Sequence, residues 1–113
     1  MSTTSIKELQ QEVYQTALDH GWWDNGDRNF GEVIALVHSE LSEALEQWRL
    51  GKSVTETYIN PKTGKWEGVP VELADAIIRI LDFCGRNNID METVLNQKNE
   101  INKTRPYKHG KIA

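Results

Sequence analysis

The 113-residue chain has one cysteine, Cys84, so no internal disulfide can staple it. A lone thiol inside an apolar run reads as a buried free cysteine in a cytoplasmic protein. No stretch approaches the roughly 20 consecutive apolar residues of a spanning helix, which excludes that class of membrane protein. The opening residues, MSTTSIKELQQEV, are polar and lack the apolar centre of a secretory leader. Net charge is only −4, so no strong positive field draws the chain to nucleic acid or to an anionic membrane. Internal repeats and low-complexity segments are also missing. These absences leave a small, soluble, cytoplasmic globular chain, read as a single domain over residues 1–113.

Four amphipathic segments fill most of it. The first spans about Ser5 to His20, with Ile6, Leu9, Val13 and Ala17 on one face, Thr4 or Ser5 as N-cap and Gly21 as stop. The second opens at Asn29, with Glu32 in capping-box position, and ends at Gly51. Phe30, Val33, Ile34, Val37, Leu41, Ala44, Leu45 and Trp48 form its apolar face. The third starts near Pro70 and runs to about Asn87. It is apolar almost all round, apart from one narrow stripe of Glu72, Asp75, Arg79, Asp82 and Arg86. The fourth is capped by Asp90, covers Met91 to about Lys103 with a weaker apolar face, and gives way to a basic tail at Pro106. Residues 51–69 are irregular and suggest an exposed hairpin around Asn60-Pro61-Lys62-Thr63-Gly64. Such a hairpin needs something to lean on.

The chemistry concentrates in two acidic couplets, Glu40-Leu41-Ser42-Glu43 and Glu72-Leu73-Ala74-Asp75. An i, i+3 spacing puts both carboxylates of a couplet on one helix face. Two such helices side by side bring four negative charges together, which is costly unless a cation sits among them. With Val37 at the centre of its apolar face, Glu40 falls roughly 60° to one side and Glu43 roughly 120° along the same flank. The plainer reading is of surface acids on amphipathic helices, with Arg79 one turn from both Asp75 and Asp82 in an ion-pair ladder. Di-iron carboxylate bundles use Glu-x-x-His pairs, and no glutamate here has a histidine three residues later. An all-oxygen donor set favours Mg2+, with Mn2+ as the alternative.

The run Asn29-Phe30-Gly31-Glu32 through His38-Ser39-Glu40-Leu41-Ser42-Glu43-Ala44-Leu45-Glu46, then Glu72-Leu73-Ala74-Asp75, resembles the MazG-like all-α nucleoside triphosphate pyrophosphohydrolases. The ending Asn102-Lys103-Thr104-Arg105-Pro106-Tyr107-Lys108-His109-Gly110-Lys111 is similar to the tails of small members of that family. The resemblance covers nearly everything except residues 51–69. It implies an all-α, four-helix MazG-like bundle with an insertion between the second and third helices. It also implies Mg2+-dependent cleavage of a nucleoside triphosphate between its α and β phosphates, with nucleotide-pool house-cleaning as the role. The matching metal ligands are Glu40, Glu43, Glu72 and Asp75. Many members carry a further glutamate where this chain has Ser39, which leaves the number of ions open. Members assemble as dimers, or as tetramers of dimers, with sites near subunit interfaces.

Within that frame Glu43 is the candidate for orienting or deprotonating the attacking water. Lys103, Arg105, Lys108 and Lys111 are cations suited to outer phosphates, although a solvated terminus is an equally ordinary fate for a basic end. The tail resemblance adds Asn102 and Tyr107 to the substrate-binding candidates. Trp23 is the candidate for stacking on the base, with a hydrophobic plug on the first helix as its other role. Trp48 reads as a core or interface residue, and Trp66 as packing for the irregular segment. A different class of function suits the same residues: a non-catalytic helical oligomerisation or interaction module whose acidic stripe forms ion pairs.

Overall fold

The computed structural model describes residues 4–106 and is all-α apart from one small hairpin. In chain order it contains α1 (Ile6–Asp19), α2 (Phe30–Arg49), β1 (Tyr58–Ile59), β2 (Trp66–Glu67), α3 (Val69–Arg86) and α4 (Met91–Lys103). Local signals account for the boundaries. The Ser5 side chain accepts from the Glu8 amide, and Asp90 accepts from the Thr93 amide, closing the first turns of α1 and α4. Gly21 and Gly51 follow α1 and α2 with positive φ, as expected of residues just past a helix end. The capping box is the exception. Asn29 accepts from the Gly31 amide at 2.8 Å, and Glu32 instead turns to Arg28, 3.9 Å away.

α3 is the hub, packing most extensively on α2 and then on α1. α2 and α3 run antiparallel. Phe30, at the start of α2, stacks on Phe83 late in α3 with ring centroids 5.3 Å apart. Glu40 meets Arg79 in the middle, and Glu43 approaches Glu72 at the other end. The buried side of α2 is Val33, Val37, Glu40 and Ala44, and that of α3 includes Glu72, Ala76, Leu81 and Cys84. Burial pushes the Cys84 thiol pKa up, consistent with an inert core cysteine. α1 crosses α3 closely enough that Tyr14 lies directly over Gly85, where a Cβ would overlap the tyrosine side chain. α4 rests on α1, tied by Glu92 accepting from the Lys7 amide, and buries no residue.

Much apolar surface stays open. Ile34, Leu41, Leu45 and Trp48 of α2 are exposed although they belong to the same wide apolar face as the buried residues. Those four lie roughly 80° round the helix from the stripe that α3 covers. On α3, Leu73, Ile77 and Ile80 form a second exposed stripe. Trp48, 58 % exposed, is thus not a core residue within one chain. Among the described residues no helix is long and apolar enough to cross a membrane.

The irregular segment forms an antiparallel hairpin with Tyr58 opposite Glu67 and Ile59 opposite Trp66. It leans on α2, where the Tyr58 hydroxyl donates to Gln47 Oε1 at 2.7 Å, and Lys52 Nζ sits 4.3 Å from the centre of the Tyr58 ring. At its base Gly68 adopts φ 134°, against the Glu56 carbonyl, a place open only to glycine.

The Tyr14–Gly85 crossing yields a direct test. Gly85→Ala should destabilise the fold by about 1–3 kcal/mol, because overpacking outweighs alanine's better helix propensity. Urea unfolding measures it; an unchanged or raised midpoint would show that α1 and α3 can separate freely.

Candidate functional site

The antiparallel seam places one oxygen from each of Glu40, Glu43 and Glu72 within 4.8 Å of one another. The helix geometry behind this is simple. Glu40 lies on the buried side of α2 and is only 7 % exposed, whereas Glu43, one turn on, sits at the exposed edge. Glu72 occupies the first turn of α3 and is 9 % exposed. Asp75 lines the same cavity of about 420 Å³ but stays outside the tight three-carboxylate set. The four expected ligands therefore share one site unequally, three clustered and one at the wall.

The electrostatics are strained in a specific way. Arg79 Nε donates to Glu40 Oε1 at 2.9 Å, so that carboxylate is compensated. Glu72 has no such partner, and its Oε2 is buried without a hydrogen bond among the described residues. Burial, then the hydrogen bond and charge of Glu43, then the charges of Asp75 and Glu40, push the Glu72 carboxyl up to about 7. Asp75 is raised as well, by burial first and then by the charge of Glu40, with Arg79 pulling the other way. A buried carboxylate oxygen with no donor, beside two further carboxylates, fits a hard cation with oxygen ligands.

The rest of the α3 stripe faces inward and is satisfied. Asp82 accepts from Trp23 Nε1 at 2.9 Å. Arg86 donates to Asp27 at 2.8 Å and to the Tyr14 hydroxyl at 3.1 Å. An ion-pair ladder along α3 is not what forms, because Arg79 reaches across to α2 instead of bonding Asp75 or Asp82.

Trp23 is 6 % exposed, edge-on to Tyr14, with the Arg86 and Arg28 guanidiniums 5.0 and 5.8 Å from its ring centre. Of its two expected roles, the fold uses the plug between α1 and α3. Its neighbour Trp22 keeps an exposed ring and lines a cavity of about 300 Å³ with Glu40 and Asp75. Trp66 also departs from expectation. It is 60 % exposed, and together with Lys65 it lines the carboxylate cavity. Neither residue carries a motif, and only the strand register of the hairpin brings them there.

Asn102, Lys103 and Arg105 are exposed at the end of α4 and do not line the cavity, and Lys103 pairs with Glu100 at 2.8 Å. Tyr107, Lys108 and Lys111 lie outside the described residues. Ser39 is exposed on α2, one residue before Glu40. No family model, curated protein or solved structure matches the chain, so its chemistry has to be read from its own residues.

The raised Glu72 pKa sets a pH dependence. A glutamate near 4.5 when unfolded and about 7 when folded makes the native state hold more protons between those values. Metal-free stability should therefore fall as pH rises from about 4.5 to about 7, then level off. Glu72→Gln should flatten that slope and stabilise the metal-free protein at pH 8, as thermal melts across pH would record. A wild-type melting temperature that climbs through this window would contradict the buried-carboxyl assignment.

Proposed function

We propose that this protein is a MazG-like, Mg2+-dependent nucleoside triphosphate pyrophosphohydrolase that converts (d)NTP to (d)NMP and pyrophosphate in the cytoplasm, as nucleotide-pool house-cleaning. The observation that carries the reading is the orphaned Glu72 oxygen beside Glu40 and Glu43, in a cavity open enough for a ligand. Glu40, Glu43 and Glu72 would hold Mg2+ or Mn2+, with Asp75 next to them. When bound, such an ion offsets the charge of the triphosphate and of the departing pyrophosphate. The protein's own work is then positioning. Glu43, the most exposed of the three, has access to the water that attacks the α phosphorus. Arg79 holds Glu40 in orientation through its Nε hydrogen bond.

The uncovered apolar stripes of α2 and α3 support a homo-oligomer, a dimer or a tetramer, in which Trp48 meets a second copy. Such an assembly is also the route by which Asn102, Lys103, Arg105 and Tyr107 of one copy could reach the carboxylates of another. The rival reading, a non-catalytic interaction module, draws on the Glu40–Arg79 pair and the same bare stripes. Calorimetric titration separates the two readings, because only the enzyme binds a triphosphate analogue together with Mg2+.

Two outcomes follow. Pyrophosphate, not phosphate, should be released from a panel of standard and modified triphosphates in the presence of Mg2+. Glu72→Gln should lower turnover by at least about a hundredfold while far-UV dichroism stays native. Release of single phosphates would sink the α–β cleavage. Separately, light scattering should give at least twice the 12.9 kDa chain mass, and Trp48→Glu should shift the particle toward monomer. A monomeric wild type at tens of micromolar would remove the oligomer from the proposal.

A further inference from the structure

The carboxylate cavity has a wall that neither acidic couplet supplies. Lys65, just before β2, and Trp66, its first residue, line it together with a strongly negative set: Glu40, Glu43, Glu46, Glu67, Glu72 and Asp75. Among the described residues Lys65 is the only cation in that lining; Arg79 opens on the neighbouring cavity and is held by Glu40. The Lys65 ammonium makes no ion pair with any described carboxylate. Its backbone, by contrast, is fixed. Asn60 N donates to the Lys65 carbonyl at 2.8 Å, and Lys65 N donates to Thr63 Oγ1 at 3.2 Å. Asn60 Nδ2 donates to Glu67 Oε2 at 3.3 Å, the Tyr58 hydroxyl lies 3.1 Å from the same oxygen, and its shorter bond to Gln47 anchors the hairpin to α2. A braced backbone thus presents a free, flexible ammonium to a cavity rich in carboxylates.

We propose that the β1–β2 hairpin belongs to the substrate site, with Lys65 binding the outer phosphates of the nucleoside triphosphate. The proposal rests on the metal-dependent triphosphate reading above. A triphosphate carries up to four negative charges, and a divalent ion among carboxylates cannot balance them alone. The protein must add positive charge on the side away from the acids. Among the described residues Lys103 and Arg105 do not line the cavity, and Lys65 is the cation placed for it. An ammonium on a mobile stem suits terminal phosphates that carry much of the charge and become the leaving pyrophosphate.

The test is calorimetric binding to the full chain, comparing wild type, Lys65→Gln and Lys65→Arg. The probes are Mn2+ alone, a non-hydrolysable α,β-imido triphosphate with Mg2+, and the corresponding monophosphate with Mg2+. Lys65→Gln should weaken the triphosphate analogue by about tenfold or more and move the monophosphate by no more than about twofold. It should leave Mn2+ affinity unchanged or slightly tighter, because a positive charge near the ion is gone. Lys65→Arg should recover most of the loss. Wild-type affinity for the analogue in Lys65→Gln overturns the assignment while the enzymatic reading stands. Parallel weakening of Mn2+ and analogue overturns it too, since that marks a hairpin that merely braces the fold. Failure of the unsubstituted protein to bind the analogue with Mg2+ at millimolar levels overturns the reading on which the proposal rests, and the proposal with it.

Discussion

Two carboxylates, Glu40 and Glu72, are withdrawn from water where α2 meets α3, and the polar architecture around them follows from that burial. Charge in such a place must be paired, protonated or bound to a cation. Glu40 takes the first course through Arg79, which crosses from α3 to reach it. Glu72 has no such partner, and burial first, then Glu43, raises its carboxyl to about 7. The two outcomes differ because Arg79 sits opposite Glu40 and two turns away from Glu72 along α3. One cation on the stripe cannot serve both ends of it.

The same stripe organises the packing of α1. Asp82 and Arg86 extend the polar line beyond the acidic cavity, and each is met by a side chain from the α1 region: Trp23 for Asp82, Tyr14 for Arg86. α1 therefore docks through aromatic residues that also carry a polar handle, over the small step at Gly85. On the other side, the hairpin brings Lys65 to the lining of the acidic cavity. A short hairpin is marginal alone; here Gln47, Lys52 and Gly68 hold it.

Element boundaries were largely legible in the residues. Ser5, Asn29 and Asp90 do cap helices, Gly21 and Gly51 do follow them, and the Pro61–Gly64 turn does sit in a hairpin. The acidic couplets were legible as candidates because i, i+3 spacing is a property of any helix. Two readings changed on folding: Glu32 left the capping box for Arg28, and Trp66 joined the cavity wall. Trp23, open to two roles in the sequence, is buried while Trp22 keeps an open ring. Glu32 exchanged one local partner for another, whereas the places of Trp23 and Trp66 depend on residues distant in the chain.

Residue spacing by itself determined the four helices, the faces their carboxylates share and the absence of a spanning segment, because each depends only on neighbours within about one helical turn or on composition. It also marked α3 as a helix with one polar stripe. Tertiary structure alone decided that α2 and α3 meet antiparallel in a register setting Glu43 against Glu72 and Arg79 against Glu40, and that Asp75 stays at the wall. It decided, too, that half of the wide apolar face of α2 stays uncovered within one chain and that Lys65 lines the acidic cavity. The carboxylate and ion-pair contacts join residues up to 39 positions apart along the chain, and helical or strand periodicity carries no information about which face meets which.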